Sequence, residues 1–169
     1  MLVCKKWKTL VLSSISSLLP DYMWLNEPKL VKMFISHPEM TQLRRICLRR
    51  MPVYRNDMLE VLRTRLKSNR LLQELDIGQY FHGQALIECL PCFGFTLRKL
   101  VIYKSPRLSA AEIDTIVECA PNLTQLRFEL TEIPSEALHS LCKLKYLNVL
   151  SLPKNIRTLC LFSTVYFSL

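Results

Sequence analysis

A chain of 169 residues can bury the core of one domain, and a half-apolar composition with only three glycines excludes a low-complexity or disordered polymer. The net charge of +9 is compatible with nucleic acid, but the basic residues show no zinc-finger, glycine-rich or interleaved aromatic pattern, so a solvated basic face is expected. No apolar run approaches the roughly 18 residues of a membrane-spanning helix, and no membrane partner is expected.

The chain opens with Lys5, Lys6 and Lys8 ahead of an apolar stretch broken by Ser13, Ser14, Ser16 and Ser17. Without a small-residue cleavage site this reads as a helical cap over 1–25, not a signal peptide. Asn26 can then cap a helix carrying Leu30, Val31, Phe34 and Ile35. The first apolar triplet follows at Leu43/Ile46/Leu48, and a second helix is predicted over about 57–67 with Met58, Leu59, Leu62 and Leu66 on one face. Further triplets stand at Leu72/Leu75/Ile77 and Leu97/Leu100/Ile102. Ser109 with Glu112 three residues later is a capping box that opens a helix bearing Ile113, Ile116 and Val117. Leu123/Leu126/Phe128, a short helix over 135–142 through Leu138 and Leu141, and Leu144/Leu147/Val149 complete the series. Ile156/Leu159/Leu161 repeats the spacing too soon for another helix, and an apolar tail closes the chain over 162–169.

Leu, two residues, Leu, one residue and an apolar residue is the spacing of leucine-rich repeats, and the steps of 29, 25, 26 and 21 between first anchors lie within that class. The fold expected is α/β, a short leucine-rich-repeat solenoid over 26–161 with a parallel concave sheet and helices on the convex side. Each unit has an apolar face that only its neighbour can cover. The phrases PEMTQLR at 38–44 and PNLTQLR at 121–127 suggest a rival register anchored at Met40. That choice would turn Arg45 into the core, so burial favours Leu43.

Seven cysteines, an odd count without dense spacing, fit a reducing compartment, cytoplasmic or nuclear. Cys89, Cys119 and Cys142 near the ends of predicted helices are expected to fill the layer where helix turns to strand. Cys89 and Cys92 form a lone CxxC with no second pair or nearby histidines, so neither a metal nor any other cofactor is expected. His37, His82 and His139 form no unit with a nucleophile and a carboxylate, and the pairs Glu74/Asp76 and Glu129/Glu132 have no supporting acid. The chain is therefore expected not to be an enzyme.

Two features carry a family resemblance. Leu2-Val3-Cys4-Lys5-Lys6-Trp7-Lys8-Thr9-Leu10 looks like the closing helix of an F-box, and the repeats end in Cys-x-Pro at Cys89-Leu90-Pro91 and Cys119-Ala120-Pro121. Together they resemble the F-box and leucine-rich-repeat proteins. The resemblance implies a substrate-recognition subunit, or a truncated form of one, of a Skp, cullin and F-box ubiquitin ligase complex. Val3, Cys4 and Trp7 would then contact the Skp adaptor, although the LP-containing helices that precede them in the family have no counterpart in this sequence. The alternative is a repeat interaction module independent of ubiquitination.

Because side chains alternate along a strand, the residues between anchors should line the concave sheet. These are Arg45, Cys47 and Arg49; Glu74, Asp76 and Gly78; Lys99, Val101 and Tyr103; Gln125, Arg127 and Glu129; then Tyr146 and Asn148. The tyrosines could anchor a target protein and the charges could select it. An RNA reading through Arg44, Arg45, Arg49, Arg50, Arg55, Arg63, Arg65, Lys67 and Arg70 is the lesser alternative.

Overall fold

The computed structural model describes residues 17–18, 42–49, 56–78, 83–152 and 166–167. The F-box-like segment with Val3, Cys4 and Trp7, the Asn26 helix, His37, His82 and the Ile156/Leu159/Leu161 triplet lie outside them, as does nearly all of the 162–169 tail.

The apolar triplets nucleate short strands, and between β2 and β6 helices fill the connections. In chain order the elements are β1 (Ser17–Leu18), β2 (Arg45–Cys47), α1 (Asn56–Ser68), β3 (Glu74–Ile77), α2 (Gly83–Phe93), β4 (Lys99–Tyr103), α3 (Ala110–Cys119), β5 (Gln125–Glu129), α4 (Ala137–Leu141), β6 (Val149–Ser151) and β7 (Tyr166–Phe167). All pairings among the described strands are parallel, and the strands lie in sequence order from β1 to β7. Helix α1 packs on α2, α2 on α3 and α3 on α4. From β2 to β6 this order follows because each strand returns beside its predecessor through a helical crossover.

The register is set by the anchors. Ile46, Leu75, Leu100, Leu126 and Leu150 stand side by side across five strands. All five are buried, and they share one core with Leu66, Leu86, Leu90, Ile113, Ile116 and Leu138 from the helices. Burying one such side chain contributes about 1.5–3 kcal/mol. A carbonyl in the turn before each strand also accepts two bonds from the next unit: Arg44 from Gln73 and Glu74, Gln73 from Arg98 and Lys99, Arg98 from Thr124 and Gln125, Thr124 from Asn148 and Val149.

That ladder corrects the fifth unit. Asn148 occupies the place of Thr124, and Val149 pairs with Gln125, an outward position. The triplet in register is Leu147/Leu150/Leu152, and Leu144 belongs to the turn that ends the preceding helix. Tyr146 and Asn148 thus lie in the turn before β6, exposed but off the strand. The Leu43 register, by contrast, is the one observed, since Arg45 pairs with Glu74 and Ile46 with Leu75. The two TQLR phrases therefore sit three residues out of phase in their units.

The Ser109 capping box is present in full. The hydroxyl accepts from the Glu112 N–H while the Glu112 carboxylate accepts from the Ser109 N–H. Cys89 is buried as expected, Cys119 is half-buried and Cys142 is exposed, so the thiol layer is not continuous along the chain. Cys142 caps the end of α4, outside its buried turn, and its thiol donates to the Leu138 carbonyl at 3.4 Å.

Candidate functional site

Opposite the helices, the outward side chains form lateral rows. The first runs Arg45, Glu74, Lys99, Gln125, Val149, and the second Cys47, Asp76, Val101, Arg127, Ser151. Arg49 and Gly78, each two residues further along, enter a third row with Tyr103 and Glu129. Eight sequence-predicted partner residues, Arg45, Arg49, Glu74, Asp76, Lys99, Tyr103, Gln125 and Arg127, are thereby brought onto one face. Tyr146 and Asn148 are not. In their place β6 presents Val149 and Ser151, which the overlapping Leu-x-x-Leu-x-Leu at 147–152 could have revealed.

The face is cross-linked by its own charges. Glu74 takes Arg45 at 3.0 Å and Lys99 at 3.7 Å, spanning three strands. The Arg49 Nε donates to both carboxylate oxygens of Asp76 at 3.2 and 3.1 Å, and its Nη2 and Nη1 reach Glu129 at 3.2 and 3.0 Å. The Arg49 guanidinium also lies 5.1 Å from the centroid of the Tyr103 ring, with Lys104 Nζ at 5.5 Å. Gly78 permits this reach by bringing two units close: a Cβ there would lie 2.8 Å from the Arg49 carbonyl oxygen. Beneath these side chains Val101 is 2% exposed although it stands outside the main core. Strand alternation marks Val101 as outward but cannot tell that long neighbours will cover it.

This semi-dry layer perturbs its ionisable groups. Burial is the largest influence on Asp76 and raises its carboxyl above the ordinary range; the Arg49 hydrogen bond and charge pull it down without cancelling that effect, and Glu129 adds a smaller push upward. For Arg49, burial works against the charge, but Asp76 and Glu129 outweigh it and raise the guanidinium pKa. Burial likewise pushes up the Cys47 thiol, ahead of a lowering backbone bond near Arg49, so Cys47 is a poor nucleophile at neutral pH. A hollow of about 180 Å³ lies over β2 to β4, lined by Arg45, Ile46, Cys47, Glu74, Leu75, Asp76 and Lys99. It is small beside the ~300–1,000 Å³ of typical small-molecule sites.

Among the described residues no group of three or more His, Cys, Asp or Glu side chains is placed to hold a metal ion. His139 is exposed on α4. No described helix is long and apolar enough to cross a membrane. No protein-family model and no curated protein matches this chain.

Proposed function

We propose that the chain is a leucine-rich-repeat interaction module that binds a target protein through the outward face of its sheet. The observation that carries this reading is the in-register stacking of five anchor-bearing strands, which assembles residues far apart in sequence into one polar, part-exposed surface. Within this reading the F-box-like Val3, Cys4 and Trp7 favour a more specific role, the recruitment of substrates to a Skp, cullin and F-box ubiquitin ligase, in the cytoplasm or nucleus.

A photo-cross-linking amino acid placed at Lys99 on the sheet face, and separately at the exposed Glu118 on α3, tests the broader reading in cells. Discrete protein adducts from position 99 and none from 118 are expected; the reverse pattern would move recognition to the helical side. For the ligase role, assembly with the Skp adaptor and cullin, lost on Trp7→Ala, is expected. A version carrying a complete box ahead of Leu2 that still fails to assemble would leave only the interaction module.

A further inference from the structure

The outward face divides by how its polar groups are used. From β2 to β4 the charges are matched: Arg45 and Lys99 on Glu74, and Arg49 on Asp76 and across to Glu129. At β5 and β6, apart from Glu129, they are not. Arg127 and Ser151 are direct cross-strand neighbours, and Gln125 precedes Arg127 by two residues on the same face. All three are part-exposed, and among the described residues none of their side chains has a hydrogen-bond or ion-pair partner. The Arg127 Nε is buried with no protein acceptor. Arg63 Nε and Ser105 Oγ are in the same state elsewhere, and it is the part-exposed remainder of the Arg127 guanidinium that an acceptor from outside can reach.

The chemistry that would satisfy this cluster is narrow. It offers one guanidinium fork, one hydroxyl and one carboxamide, all able to donate, and a carboxylate matches the fork's planar geometry. Val149 beside Gln125 and the covered Val101 beside Arg127 give the cluster apolar flanks, which strengthen a charged contact by excluding water. A polyanion fits less well. Glu129 stands on the same strand face and Asp76 in the same row as Arg127, so a continuous run of phosphates would meet carboxylates where a single acidic side chain would not.

We propose that Gln125, Arg127 and Ser151 form an anchor for an aspartate or glutamate side chain of the partner protein. The proposal rests on the protein-binding reading of the sheet face and names the chemistry that face selects.

The test uses the full chain as bait for a phage-displayed library of random linear peptides, keeping only binders displaced by Val149→Arg. Enriched peptides are then synthesised with and without their acidic residue changed to its amide, and titrated against wild type, Arg127→Gln and Ser151→Ala, with oligouridine RNA at the same ionic strength as a second probe. Peptides sharing an Asp or Glu are expected, with affinity reduced at least tenfold by either the amide change or Arg127→Gln. The two losses should be non-additive when combined. Because the amide change leaves the protein untouched, a misfolded Arg127→Gln would not obscure the result. Face-bound peptides without a shared acid, or indifferent to the amide change, would overturn the anchor while leaving the protein-binding reading in place. Arg127-dependent capture of the RNA with no peptide would overturn the anchor in favour of phosphate, and the absence of any face-bound peptide or RNA would overturn both readings.

Discussion

Gly94 follows α2 where the chain passes against the end of α3, and the approach leaves no room for a side chain. A Cβ at this position would lie 2.4 Å from the Cys119 carbonyl oxygen and 2.9 Å from its carbonyl carbon. Backbone cannot rotate aside as a side chain can, so Gly94→Ala should cost about 1–3 kcal/mol, the range for overpacking a filled site. Urea unfolding would check this through a lower midpoint at unchanged slope. Asp76 gives a second residue-level expectation. A carboxyl whose folded pKa is raised binds its proton more tightly when folded, so its contribution to stability is present below the unfolded pKa and lost as pH rises through the folded one. Arg49→Met removes the hydrogen bond and charge that now oppose this rise. The Asp76 carboxyl, followed by carbon-13 NMR, should titrate above the ordinary aspartate range in wild type and higher still in Arg49→Met. A lower value in the variant would mean that Arg49 does not pull the carboxyl down, and an ordinary value in wild type that burial is not the leading influence.

At the scale of the element, α3 depends on its first turn. The Ser109 hydroxyl and the Glu112 carboxylate satisfy each other's backbone N–H groups, and behind them Ile113, Ile116 and Val117 lock one face into the core. Ser109→Ala should therefore cost about 1 kcal/mol, as loss of an N-cap generally does, while Thr at the same position should restore most of it. Thermal unfolding of the three proteins would rank them. This cap was legible because its spacing is local. The first four strand registers were legible for a related reason: Leu75, Leu100 and Leu126 each sit in a triplet with no competing leucine at the wrong phase, and at Ile46 the rival register would have buried Arg45. The fifth was not. Leu144, Leu147, Leu150 and Leu152 present two overlapping triplets, and spacing cannot distinguish a leucine that seals a helical turn from one that begins a strand. Sequence also brought Arg49, Asp76 and Glu129 to one face without revealing that they would pair, since that depends on an arginine crossing the gap left by Gly78.

For the whole molecule, the governing fact is that, among the described residues, each strand is bonded to its sequence neighbours and the helices pack on one another in sequence order. Stability is then close to a sum of units and the interfaces between them, so the position of a defect decides how far it spreads. Leu100 is fully buried in the middle strand, between Leu75 and Leu126, whereas Leu43 enters the same core only at the approach to β2. Either change to alanine removes comparable apolar volume, at about 2–5 kcal/mol. Their reach should differ. In native-state hydrogen exchange, Leu100→Ala should lower the opening free energy of β3, β4 and β5 together, because both interfaces of the central unit lose packing. Leu43→Ala should act chiefly on β2 and β3 and leave the β5 amides near their wild-type protection. Equal loss of protection on all strands in both variants would mean that the stack opens as a single cooperative block, and that the nearest-neighbour description fails for this protein.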